Sequence, residues 1–196
     1  ISDSDETSAY GNVVIVSLLR KKSKGPQSYI VKWNRWPEKI EISMNEIKIQ
    51  NIAYSLGIAP KIIDYYHTPL SSKNTGYVYM FMTDLTRKGY KTFGDIYGIK
   101  DKHGDIVNFK KIPDKVMILL AKAIKKLHEH GIAHKDIHVN NVFYNTNKNS
   151  IKIIDYGLSK KYRNKREAFK KEIFKFDNYG GRKYVYNRLI PSEWYN

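Results

Sequence analysis

At 196 residues the chain can build one domain with a sizeable core, or two small lobes sharing a cleft, and its 41% hydrophobic and 13% aromatic content excludes a disordered polymer. With no cysteine, disulfides and thiolate metal sites are excluded, and no charge-free apolar run is long enough to span a bilayer. The net charge of +16 favours anionic partners such as nucleic acid, acidic protein surfaces, anionic lipid or nucleotide phosphates, although plain solvated surface is the simpler account.

The opening ISDSDETSAYGN is acidic and polar, unlike a secretory signal. Residues 13–19 (VVIVSLL) read as a buried strand, RKKSKGPQS as a turn, and residues 29–33 (YIVKW) as the returning strand. Pro37 and Glu38 open a helix on which Ile40, Met44, Ile47, Ile52 and Leu56 fall near one face; Gly57 and Pro60 end it. Residues 61–66 and 77–82 read as two further strands. Beyond Asp84, Gly89, Gly94, Gly98 and Gly104 mark a broken connecting region. The clearest helix covers residues 113–130, with Val116, Leu119, Leu120, Ala123, Ile124 and Leu127 on one face and lysines on the other. Strands at 142–144 and 151–155 flank the turn-forming NTNKNS, and a basic tail holds one helix around 169–176 before Gly180-Gly181. The expected class is α+β, with a strand-rich unit at 1–83 and a helix-led unit at 84–196.

The chemistry concentrates after the long helix. His134-Lys135-Asp136-Ile137-His138-Val139-Asn140-Asn141 is followed by a short apolar strand and then by Asp155-Tyr156-Gly157. These segments resemble the protein-kinase-like superfamily: the first is similar to the catalytic loop HRDxxxxN and the second to DFG, written DYG. Upstream, a glycine-loop region, a strand lysine, a helix glutamate and a hinge follow in the family's order, so the resemblance runs from about residue 6 to 157. It implies a bilobal fold with a β-rich N-lobe and a truncated, mainly helical C-lobe, together one catalytic domain. It also implies ATP with Mg²⁺, or alternatively Mn²⁺, as cofactors.

Phosphoryl transfer demands placement and neutralisation of phosphate charge more than covalent chemistry. At the matching positions, Asp136 would orient the acceptor hydroxyl and take its proton, with His138 beside it in the catalytic set. Asn141 and Asp155 would supply hard oxygen ligands to the metal. Lys32 would reach the nucleotide phosphates and pair with Glu46, 14 positions on (46 − 32), Glu41 being the alternative partner. His134 would order the loop through hydrogen bonds. Gly11 and Val13 match the end of the phosphate-covering loop, Met82 the gatekeeper place, and Thr83, Asp84 and Leu85 the hinge that holds adenine.

The chain departs from the family pattern in four places. Glu6 and Ser8 stand where the loop's first two glycines belong, and Lys135 replaces the usual Arg, losing its bidentate fork. His138 gives HxDxHxxN, similar to small-molecule kinases of the aminoglycoside and choline type. The sequence ends 39 residues after Gly157 (196 − 157), leaving Asp177-Asn178-Tyr179 or Pro191-Ser192-Glu193 as faint matches to C-lobe landmarks. The resulting expectation is a minimal serine/threonine protein kinase, as in bacterial effectors and large DNA viruses. It would act on a protein substrate in the cytoplasm, a host protein in host cytoplasm if from a pathogen or virus. A small-molecule phosphotransferase and a pseudokinase binding module are the alternatives. Nucleic-acid binding is disfavoured by the lack of zinc-finger spacing or an RNP-like motif. Ser159, Tyr162 and Tyr184 are candidate self-modified residues.

Overall fold

The computed structural model describes residues 6–8, 11–18, 27–36, 40–69, 76–104 and 106–174. The basic stretch 20–24, Pro37 with Glu38, Tyr184 and the segments 177–181 and 191–193 lie outside them. The first half is an antiparallel sheet of β1 (Glu6–Ser8), β2 (Gly11–Leu18), β3 (Gln27–Trp36), β4 (Ile62–His67) and β5 (Gly76–Thr83) in the order β1-β2-β3-β5-β4. The helix α1 (Ile40–Ser55) crosses between β3 and β4. The four longer strands fall where the apolar and β-branched runs predict them.

Strand alternation decides what faces α1. Lys32 pairs with Met80 and Ile30 with Met82, so these four point to one side while Trp33 and Tyr79 point to the other. On the inner side Ile47, Ile62, Met80 and Met82 form a small apolar cluster, with Met44 and Ile30 packed on it. The helix is not buried on the single face that its isoleucines suggest. Ser43, Glu46 and Gln50 are buried against the sheet, while Ile49 and Ala53 join the main core below. Asn34 Nδ2 donates to Ser43 Oγ at 2.9 Å, and Gln50 Nε2 donates to the Pro60 carbonyl at 3.2 Å. Each side chain of this buried polar stripe makes at least one hydrogen bond, although Asn34 Oδ1 and Glu46 Oε2 have none among the described residues. Gly57 closes the helix at φ 76°, a left-handed geometry that suits glycine.

The chain leaves the sheet at Thr83 and builds a second half around α3 (Asp114–Glu129). Val116, Leu120, Ile124 and Leu127 on α3 are buried, together with Met117, Ala121 and His128. They pack with Phe93, Ile137, Val142, Ile153, Tyr156 and Phe174 in the main core. The stretch read as a broken connection contains more structure than that. It holds β6 (Lys91–Thr92), α2 (Phe93–Tyr97) and a hairpin of β7 (Gly98–Lys100) with β8 (Ile106–Phe109). A capping box starts α2: Thr92 Oγ1 accepts from the Asp95 N–H at 2.9 Å, and the Asp95 carboxylate accepts from the Thr92 N–H.

Short strands β9 (Ile132–Ala133), β10 (Val142–Asn145), β11 (Ser150–Ile153) and β12 (Lys160–Lys161) complete two small sheets, β11-β10-β6 and β12-β9. The tail helix α4 (Lys165–Lys171) lies earlier than the expected 169–176. Asn164 caps it by accepting from the Glu167 N–H at 2.9 Å, and Glu172 leaves it in an extended conformation. The class is α+β, sheet first and helix-led afterwards, as expected. Among the described residues no helix is long and apolar enough to cross a membrane.

Candidate active site

Three segments distant in sequence meet where the sheet faces the second half. Lys32 Nζ lies 2.8 Å from Glu46 Oε1 and 2.7 Å from Asp155 Oδ1. Glu41, the other candidate partner, is exposed on α1. Burial alone would lower the lysine's pKa, but the two carboxylates outweigh it and leave the pKa raised. Asp155 is likewise pushed up by burial yet held below its ordinary value by Lys32 and by the Gly157 N–H. Glu46 goes the other way. Burial and the Asp155 charge raise it despite Lys32, and its buried Oε2 has no hydrogen-bond partner among the described residues. The pair is therefore lopsided, with Asp155 the more firmly ionised carboxylate.

Asp155 sits at φ 62° and its Oδ1 accepts from the Gly157 N–H at 3.4 Å, a turn that Asp tolerates better than most residues. The loop of residues 134–141 is stitched to it. Ile154 N–H donates to the Asn141 carbonyl at 3.0 Å, and His134 Nε2 lies 2.9 Å from the Ile154 carbonyl. That carbonyl can only accept, so His134 carries its proton on Nε2 and accepts the Asp136 N–H on Nδ1 at 3.3 Å. Its ring stacks edge-on against Tyr156, centroids 4.7 Å apart. Burial is the largest influence on His134 and lowers its pKa against the opposing carboxylates. It is a fully buried, neutral ordering residue.

Asn141 Nδ2 donates to Asp136 Oδ2 at 3.3 Å and to the Asp136 carbonyl at 3.1 Å, which fixes the carboxylate and aims the amide oxygen elsewhere. His138 Nε2 stands 3.7 Å from the same Asp136 Oδ2, and its Nδ1 accepts from the Asn140 N–H. The Asn141 amide oxygen and the Asp155 Oδ2 are hard donors outside these hydrogen bonds. They fit a divalent cation of the magnesium type, with the remaining ligands coming from phosphate and water.

The other expected residues fall nearby with mixed roles. Val13 pairs with Lys32 across β2 and β3, and Gly11 pairs with Ser8 in the β1–β2 hairpin. Met82 is buried in the small cluster, and Gln50 Nε2 donates to its sulfur at 3.1 Å. Thr83 N–H donates to the Lys61 carbonyl. Asp84 is buried with its carboxylate committed to the fold, accepting from the Ser28 hydroxyl, the Thr86 N–H at 2.9 Å and the Thr86 hydroxyl at 2.6 Å. Leu85 is buried, its carbonyl accepting from Lys88 and Tyr90. Ser159 is only 1% exposed and donates its hydroxyl to the His134 carbonyl, a poor position for self-modification.

Sequence reasoning missed Glu172. Its side chain is fully buried, and Oε2 lies 2.9 Å from both His128 Nε2 and the His134 N–H. Oε1 accepts from the Lys135 N–H at 2.6 Å and from its neighbour Ile173 at 3.1 Å. Burial alone would raise this carboxyl, but His128 and the loop N–H groups hold it below its ordinary value. Lys135 occupies the left-handed region at φ 67°, a strain that the Glu172 bond holds in place. Asp177, one of the faint C-lobe matches, lies outside the described residues; the described acid that ties down this loop is Glu172, five positions earlier (177 − 172). One signal in the sequence pointed to it: an acidic residue between lysines and apolar Ile173 and Phe174.

A family model for the protein kinase domain matches residues 10–195. The chain is 30% identical over 138 residues to serine/threonine-protein kinase greatwall of Mus musculus, covering 70% of this chain and 15% of that protein. The Homo sapiens relative of the same name matches at 30% over 138 residues, 70% of this chain and 14% of its own length. That of Xenopus laevis matches at 28% over 153 residues, 78% and 15%. The chain spans about 15% of the length of these curated relatives.

Proposed function

The chain belongs to the protein kinase domain family, and on that premise we propose that it transfers the γ-phosphoryl group of ATP to a serine or threonine of a protein substrate. The carrying observation is that Lys32 bridges Glu46 and Asp155, 14 and 123 positions away in sequence, while Asn141 fixes Asp136 alongside. The names of the greatwall relatives support serine or threonine as acceptor.

In this reading Lys32, charged and buried, binds nucleotide phosphate, and Glu46 keeps the ammonium in place. Asn141 and Asp155 hold the divalent cation, Mg²⁺ in preference to Mn²⁺, which supplies positive charge against the phosphates. Asp136 orients the acceptor hydroxyl and takes its proton at the carboxylate, and His134 and Asn141 keep that carboxylate aimed. His138 shares the Asp136 oxygen and limits its rotation. The sheet of β1 to β5 forms one wall of the cleft, and the segments around Asp136 and Asp155 form the other.

Incubation with γ-labelled ATP, a divalent cation and a mixed protein extract tests the reading. Label on protein serine and threonine is the expected result. Asp155→Asn should lower the rate about 10²–10³-fold, the typical effect of removing one electrostatic stabiliser. Full activity of that variant would refute the site, and label confined to small molecules would move the acceptor to that class.

A further inference from the structure

A groove of about 670 Å³ opens beside the catalytic loop, away from the Lys32 cluster. Its walls carry Lys135, Lys170 and Lys171, and Tyr162, Phe169 and Ile173 supply apolar surface. Lys170 and Lys171 are exposed and Lys135 is half-buried. Among the described residues none of the three lysines makes an ion pair. The carboxylate at the floor, Glu172, does not serve them, because both its oxygens are taken by His128 and by backbone N–H groups. Exposed Lys160 and Lys161 on β12 add to the same positive field. The groove adjoins the chemistry directly: Lys135 precedes Asp136, and the Ile137 N–H donates to the Ile173 carbonyl at 3.1 Å.

We propose that this groove docks an acidic stretch of the substrate polypeptide, the aspartate or glutamate side chains meeting Lys135, Lys170 and Lys171, so that a neighbouring hydroxyl is presented to Asp136. The proposal rests on the protein-kinase reading above and adds the substrate's charge class. Unpaired ammonium groups around apolar walls recognise carboxylates flanked by apolar atoms, and the volume accommodates several side chains. The chain's own residues 175–196 carry four basic and two acidic side chains, so they lack the complementary charge.

Binding is measured first and without nucleotide. Fluorescence anisotropy would compare a serine-containing peptide bearing four glutamates with its glutamine counterpart, on the full chain and on Lys170→Glu/Lys171→Glu. A second variant, Lys102→Glu/Lys111→Glu, reverses two exposed lysines outside the groove. The acidic peptide should bind the parent chain about tenfold more tightly than the neutral one, and the groove variant should abolish that margin while the second variant keeps it. Equal affinity for both peptides, or equal loss in both variants, overturns the proposal. Phosphorylation of the same peptides is scored separately. Groove-dependent binding without transfer would count against the kinase reading alone, and transfer indifferent to flanking charge would count against the groove alone.

Discussion

Tyr156 occupies the middle of the DYG segment, fully buried against His134, and its hydroxyl has no hydrogen-bond partner in the described structure. Burial, with Glu172 adding to it, drives that phenol well above its ordinary pKa, so it stays protonated. An unsatisfied buried hydroxyl costs about 1–3 kcal/mol, so Tyr156→Phe should keep activity and raise the melting midpoint by about 2–12 °C. A fall in the midpoint would show that the hydroxyl is satisfied. His134 sets a pH dependence. The fold lowers its pKa from 6.5, so below that pH the unfolded chain takes up the proton first and stability declines. Glu172 and Asp155, also lowered from 4.5 and 3.8, extend the decline further into acid, whereas Glu46, raised, contributes with the opposite sign. Melting midpoints between pH 7.5 and 5.5, chosen to span about the ordinary histidine range, should fall more steeply for the parent chain than for His134→Gln. Parallel slopes would place the titration elsewhere.

Glu172 belongs to no regular element yet ties several together: α3 through His128, the loop before Asp136 through two N–H groups, and α4, which it follows directly. Removing a buried carboxylate with these bonds should cost about 2–5 kcal/mol and loosen the strained Lys135. Glu172→Ala should therefore lower kcat more than it raises the KM for ATP, with Glu172→Asp recovering part of kcat. A purely structural role would change the amount of folded enzyme and leave both constants alone. The same scale shows what the sequence discloses. The strands β2 to β5 and the helix α3 were legible because each carries a local run with its own period. The two-residue β6 and β9 were not, since a strand that short exists only through a distant partner, Phe143 for Thr92 and Lys160 for Ala133. Within the site, the Lys32 to Glu46 pairing could be read from motif spacing. Glu172 matched no motif, and its role depends on where the chain turns after α4.

At the scale of the whole molecule, α1 removes any clean seam between sheet and second half. Ile47 packs into the cluster under the sheet, Ile49 and Ala53 pack into the core around α3, and Asn45 Nδ2 reaches the Ser159 carbonyl at 3.0 Å. Ile153 N–H also donates to the Ile58 carbonyl at 2.8 Å, just beyond the helix. Heat should therefore unfold both halves in one calorimetric transition, with equal calorimetric and van't Hoff enthalpies. Two resolved transitions would mean that the halves are thermally separate. A helix held on two sides also has few positions left where substitution is harmless. Saturation mutagenesis scored by cellular abundance should find Ser43 and Gln50, hydrophilic and ordinary on paper, as intolerant of replacement as Ile49.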